Sequence, residues 1–347
     1  MKKFFAILLC AVMVFAVVAC DFAQTETEAD YKLGMGIVVS MDSSATNNAQ
    51  VDATVATVVT DADGKIVLCR IDVAQNKMDV TNGAVNTAAT FKTKMEKGAE
   101  YGMAGKVDND GNGVKLEWDA QAKAFEEYCV GKTAAQIEAM ELQEANGHMI
   151  AVDQDLLDAG CSMQITDFIA AVVKACNDDQ GMAFKAVAGT FTLGVAAKTT
   201  AAESTAATAD ADASVKMYTD FAASVVVDGK IVASLNDAIQ PVITVNAAGE
   251  ITDKSFKKTK RELKEEYGMA GKVDGNGDGV KLEWYVQSEA FSKHVVGMTA
   301  DEVAAMETAT NAIGYQMTTD AELLEAGCTI QITAIKAVVA QSAKNAR

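Results

Sequence analysis

Two spacings of apolar residues succeed one another along this chain, and the succession happens twice. Leu33, Met35 and Ile37 to Val39 open with a two-residue period. Val51-Asp52-Ala53-Thr54-Val55-Ala56-Thr57-Val58-Val59 continues it with β-branched residues, so both segments are predicted strands. Asp63-Gly64 supplies a hairpin turn, and Ile66 to Val73 the returning strand. Past residue 90 the spacing becomes helical. Phe91 to Glu100 is a charged helical segment, and Leu116 to Val130 carries Trp118, Ala122 and Phe125 on one face. Gly131 follows as a C-capping glycine, Thr133 can cap the next short helix, and Ile165 to Cys176 is a last apolar helix. The order then recurs. Phe191 to Val195 is a strand, Asp228-Gly229 turns into Ile231 to Leu235, and Phe256 to Glu266 is charged and helical. Leu282 to Val296 carries Trp284, Phe291 and Val295, and Gly297 ends it. Thr299 with Glu302 forms a capping box, and Ile332 to Ala343 closes the series.

The recurrence extends to identity. Tyr101–Trp118 and Tyr267–Trp284 agree at 15 of 18 positions, 166 residues apart. The chain is therefore two copies of one domain in tandem, residues 31–176 and 191–347, joined by a linker at 177–190. Strands that precede helices predict an α+β fold, in which each repeat is a small antiparallel sheet with helices packed on one face. So short a linker predicts that the repeats touch. About 150 residues per repeat suffice for one core each.

Charge narrows the partners. The formal net charge is −18, and it becomes −20 once residues 1–19, with Lys2 and Lys3, are removed. Such a surface repels phosphate backbones and excludes nucleic acid as a partner. Removal of 1–19 is expected because Lys2-Lys3 precedes an apolar run from Phe4 to Val18, too short to span a membrane as a helix. That run closes on Val17-Val18-Ala19-Cys20, which resembles the lipobox of bacterial lipoproteins. The resemblance implies cleavage before Cys20, acylation of its thiol, and an extracytoplasmic protein held on the membrane by lipid. Residues 20–30 are polar and acidic and read as the tether. Five further cysteines (Cys69, Cys129, Cys161, Cys176 and Cys328) cannot all pair, and no Cys-x-x-Cys occurs. Free buried thiols are expected rather than a disulfide framework or a zinc site.

Four groups of residues could carry chemistry. Asp108-Asn109-Asp110-Gly111-Asn112-Gly113, with Asp119 at the twelfth place, has the oxygen ligands and central glycine of a calcium loop. Repeat two offers Asp274, Asn276, Asp278 and Gly279, but Tyr285 stands at its twelfth place. A turn rich in residues tolerant of positive φ is the structural alternative. Glu117-Trp118 and Glu283-Trp284 hold the only two tryptophans, expected in the core. Ala159-Gly160-Cys161-Ser162 and Ala326-Gly327-Cys328-Thr329 precede the last helices, where a glycine and a hydroxyl suit either an anion site or an N-cap. His148 and His294 are not equivalent between the repeats, so no shared Ser-His-Asp or Cys-His arrangement supports an enzyme.

Asp-Gly-Lys-Ile, Tyr-Gly-Met, Glu-Trp, Val-Gly-Lys-Thr and the run from Asp155 to Thr166 together resemble a family of uncharacterised tandem-repeat lipoproteins of anaerobic bacteria. A more distant resemblance is to the extracytoplasmic FMN-binding domain, where Asp-Gly-Lys-Ile also lies in a hairpin and a Ser-Gly-Ala-Thr motif carries FMN on its threonine. That resemblance implies flavin at Ser162 and Thr329, beside Gly160 and Gly327. Ala159 and Ala326 replace the motif's serine, and Cys161 and Cys328 its alanine. The expected function is therefore a lipid-anchored extracytoplasmic binding protein for a small molecule or a protein, with calcium in its acidic loops. An FMN-carrying electron-transfer lipoprotein is the alternative.

Overall fold

The computed structural model describes residues 27–272, 277, 279, 281–311 and 314–347. Repeat one runs β1 (Glu28–Ser40), β2 (Asn48–Asp61), β3 (Ile66–Asp79), α1 (Lys94–Lys97), α2 (Trp118–Cys129), α3 (Ala134–Glu138), the hairpin β4 (Leu142–Ala145) and β5 (His148–Ala151), α4 (Gln154–Asp158) and α5 (Thr166–Cys176). After β6 (Met182–Val187), repeat two runs β7 (Phe191–Thr200), β8 (Ala213–Val215), β9 (Tyr218–Val227), β10 (Lys230–Ile239), β11 (Val242–Val245) and β12 (Ile251–Ser255). Its second half is α6 (Lys260–Leu263), α7 (Trp284–His294), α8 (Ala300–Ala305), β13 (Thr308–Thr310), β14 (Gln316–Thr318), α9 (Ala321–Glu325) and α10 (Thr333–Lys344). The order of strands before helices holds in both repeats, and the fold is α+β.

The sheets are antiparallel, ordered β3-β2-β1-β6 and β10-β9-β7, with a third sheet β12-β11-β8 peculiar to repeat two. The two large sheets pack face to face. Leu33, Met35 and Ile37 of β1 meet Leu193, Phe221 and Val225 of repeat two in one continuous apolar core. The opposite faces carry the helices, with Trp118, Phe125 and Phe168 in repeat one and Trp284, Phe291 and Val338 in repeat two. The molecule thus has four layers: helices, sheet, sheet, helices. One core per repeat was expected; there is also a third, which the repeats build jointly.

The segment 177–190 departs most from its sequence reading. It is no linker: Met182–Val187 pairs with β1 from Glu28 to Leu33 and completes the first sheet. Its Phe184 stacks with Tyr31 at 5.7 Å and meets Phe191 edge-on at 5.5 Å, which explains its fixed course. The charged helix expected from Phe91 to Glu100 is shorter, a turn of α-helix followed by a 3-10 turn at Gly98–Tyr101.

One close approach fixes the helix on the sheet in both repeats. A Cβ on Gly34 would collide with the carbonyl oxygen of Ala175 in α5, and one on Gly194 with that of Ser342 in α10. The glycines are equivalent, and so are the carbonyls they receive.

The seams between the sheets are ionic and amide-rich. On one, Asn76 of β3 donates to Thr199 and Thr219 at 3.0 and 3.3 Å, and Arg347 reaches the buried Glu126 at 2.8 Å. On the other, Arg261 pairs with Asp178 at 3.1 Å while Gln180 and Arg261 exchange hydrogen bonds. The five cysteines of the described residues are unpaired, and burial pushes the Cys161 and Cys328 thiols up to about 12, which leaves them inert.

Candidate functional site

The 18-residue block serves first to build a wall. Thr93 and Glu96 form a capping box at α1, as Thr259 and Glu262 do at α6. A buried aspartate on the third strand completes each cap. Asp72 accepts from the Met95 N–H at 3.1 Å, and Asp237 from the Arg261 N–H at 3.0 Å. Burial pushes the Asp72 carboxyl up to about 6 against the hydrogen bonds of Thr93, Met95 and Val73. Each cap sets a lysine at the first helical position. Lys94 lies 4.9 Å from the Tyr101 ring and 5.4 Å from that of Trp118; Lys260 lies 5.2 Å from Tyr267 and 5.1 Å from Trp284.

The glutamate beside each tryptophan holds the Tyr-Gly-Met turn. Glu117 accepts from Met103 and Ala104 at 2.8 and 3.0 Å, and Glu283 from Met269 and Ala270, both at 3.0 Å. Burial works to raise the Glu117 carboxyl, but these donors outweigh it and leave it below its ordinary value. Trp118 and Trp284 are core residues, as expected.

The flavin-related positions are enclosed. Ser162 and Thr329 are each 1% exposed. Gln121 takes the Ser162 and Met163 N–H groups at 3.1 and 3.0 Å, and Gln287 takes that of Thr329 at 2.8 Å. The N-caps of the last helices are Ile165 and Ile332, so Ser162 and Thr329 neither cap a helix nor present a hydroxyl at one. Gly160 and Gly327 end the preceding short helices at φ 89° and 85°. Their N–H groups close those helices on Leu157 and Leu324 rather than facing an anion.

The acidic loop of repeat one is a turn. Asp108 accepts from Gly113 N–H at 3.2 Å and Asn112 from Val114 N–H at 2.7 Å. The Asn109 amide docks the loop on the Ser162 carbonyl at 2.8 Å. One oxygen each of Asp108 and Asp110 is enclosed without a partner. Asp119, expected to close a calcium shell, instead receives the N–H of its neighbour Ala120 at the start of α2. Among the described residues no group of three His, Cys, Asp or Glu side chains is placed to hold a metal. The loop therefore lacks its bidentate closing ligand. Asp274, Asn276 and Asp278 lie outside the described residues, as does Cys20.

What repeat one brings together is a cleft of about 420 Å³ on the helix side of its sheet. Lys94, Tyr101, Met103 and Trp118 form one wall, Met163 and Phe168 another. Asp52 of β2 and Asp167 of α5 also line it. Asp52 Oδ2 accepts from Gln50 at 2.7 Å, while Oδ1 is enclosed with no partner. Burial, and then the Asp52 charge, hold the Asp167 carboxyl above its ordinary range, with Lys94 acting against. His148 stands at the rim, 3.5 Å from Gln164. His294 lies away from the cleft, 3.7 Å from Asp320, the counterpart of the Asp153 that Tyr128 donates to at 2.7 Å.

The sequence reading missed Asp52, Asp167 and Lys94. Lys94 left a signal, because Lys260 repeats it seven residues before the second Tyr-Gly-Met. Asp52 and Asp167 left none, since Tyr218 and Ala334 occupy their places in repeat two. Comparison of the chain with protein-family models, curated proteins and solved structures gives no match.

Proposed function

We propose that this chain is a lipid-anchored extracytoplasmic binding protein and that its ligand enters the repeat-one cleft. One observation carries the binding half. Residues kept in both repeats build a preformed wall, and in repeat one that wall borders an open cleft whose enclosed carboxylate oxygen has no partner. Its volume falls in the range that holds small ligands. The anchoring half rests on Lys2-Lys3, the apolar run and Val-Val-Ala-Cys20. No helix of the described residues is long and apolar enough to cross a membrane. The flavin alternative loses support from the enclosure of Ser162 and Thr329.

Thermal-shift screening of the mature chain against small metabolites, followed by calorimetry, tests the first half. A ligand should raise the melting temperature, and Phe168→Ala or Asp52→Asn should weaken it. A ligand unaffected by both changes would move the site elsewhere. For the second half, labelled palmitate should be incorporated into wild type and not into Cys20→Ser. Retention of Cys20→Ser in the membrane fraction would refute a lipid anchor at that thiol.

A further inference from the structure

We infer that the repeat-one cleft takes a small organic cation, a primary amine or a guanidinium compound, with its charge between Asp52 and Asp167. The inference rests on the binding reading above and names the class of ligand. Three features of the cleft lead to it.

The first is an unmet acceptor. Asp52 Oδ1 is enclosed and unpartnered, while Oδ2 already has the Gln50 amide. An enclosed carboxylate oxygen without a donor is unfavourable, and a cation that hydrogen-bonds to it removes that deficit. Among the described residues the only ammonium lining the cleft is that of Lys94, and it rests against the faces of Tyr101 and Trp118. Two carboxylates therefore face the cavity against one lysine held by rings.

The second is the contrast with repeat two. The same lysine, tyrosine and tryptophan recur there as Lys260, Tyr267 and Trp284. Strand pairing shows which residues correspond. Ser40 pairs with Asp52 in repeat one, and Thr200 with Tyr218 in repeat two. The carboxylate of repeat two is Asp220, two residues along β9, where repeat one has Thr54. Its neighbouring cations are Lys260 and Lys198, the latter opposite Asp220 in the strand ladder where Val38 faces Thr54. Repeat two thus sets Asp220 against two lysines of its own. Repeat one lines its cleft with two carboxylates and one lysine, while Lys97 acts on Asp52 from outside the lining, and a cationic ligand offsets the excess acid of that lining.

The third is shape and chemistry. Met103, Met163, Phe168 and Val73 give the cleft an apolar side that suits the carbon body of an amine. A divalent metal fits less well, because the described residues offer no group of three metal-ligating acids, thiols or imidazoles.

Calorimetry on the mature chain in detergent, with agmatine and putrescine as probes, tests this. Glutamate and calcium serve as anionic and metal controls. Agmatine or putrescine should bind, Asp52→Asn should weaken binding at least tenfold, and Asp167→Asn should weaken it less because Asp167 is the more exposed of the two. Asp220→Asn, in the other repeat, should leave the affinity unchanged. Asp167→Asn keeps the test valid if Asp52→Asn fails to fold. Amine binding undiminished by both substitutions overturns the inference. Binding of glutamate or a neutral metabolite in the cleft, without amine binding, refutes the cation and leaves the binding reading standing. If no ligand of any class binds, both fall together.

Discussion

Repeats one and two share a scaffold to the level of single hydrogen bonds, yet they differ where a ligand would sit. Each has the capped lysine over tyrosine and tryptophan, the glutamate under the Tyr-Gly-Met turn and the glutamine under the last helix. Only repeat one pairs that wall with Asp52 and Asp167. Repeat two instead spends sequence on a third sheet whose Val215, Ile243 and Val245 join the core between the large sheets. The difference teaches that duplication preserved what folds and left the charge of the cleft free to diverge. Repeat two adds strands to the joint core, and repeat one carries the acid-lined cleft in which binding is proposed.

The comparison can be broken most directly at the glycines. Gly34→Leu and Gly194→Leu should each destabilise by about 3 kcal/mol or more, because backbone, not a flexible side chain, blocks the new atoms. Chemical denaturation should show the two losses to be similar; a loss in only one repeat would deny the equivalence. Next come the glutamines. Gln121→Ala strands two buried N–H groups and Gln287→Ala one, so costs of about 2–4 and 1–3 kcal/mol are expected, the larger in repeat one.

Asp220 gives a pH test. Burial pushes its carboxyl up to about 6, with Lys260 and Lys198 opposing and Asp237 adding to the rise. A folded pKa above the unfolded one means that the folded state holds a proton the unfolded state has lost. Stability from this group therefore falls as pH climbs from about 4 to 6 and stays lowered above that. Asp220→Asn should stabilise by roughly 2–3 kcal/mol at pH 7.5 and by almost nothing at pH 4, read as the difference from wild type. A pH-independent difference would show that the carboxyl titrates normally.

The smallest expected effect concerns Lys264. It adopts φ 46° and ψ −120°, where its counterpart Gly98 has φ 46° and ψ −126°. That region suits glycine and strains a lysine. Lys264→Gly should raise the melting temperature by a few degrees despite losing the ion pair with Asp179 at 2.6 Å. A fall instead would mean that this pair anchors the seam more strongly than an exposed pair normally does.

Much of the scaffold was legible in order along the chain. The duplication, the hairpin at Asp63-Gly64, the glycines that stop α2 and α7, and the Thr299 capping box are local, and local chemistry determines them. The strand lengths were underestimated: β3 reaches Asp79, not Val73, because Asn76 and Met78 are buried against repeat two and look like surface residues by spacing alone. The calcium motif of repeat one and the flavin-like motifs meet a related difficulty. Matching residue types at matching places does not say where an oxygen points, and here the asparagines of the loop dock on carbonyls while Ser162 is enclosed.

The amino-acid order by itself determined that there are two copies, that strands precede helices in each, and that their surface is acidic. These follow from periodicity, turn chemistry and composition, all of which act between near neighbours. Only the tertiary structure decided that the sheets share a core, that Met182–Val187 is a strand, and that Asp52 meets Asp167 beside the lysine-capped rings. Those pairings join residues more than a hundred positions apart, and they are selected by which faces can be buried together, a property no single segment carries.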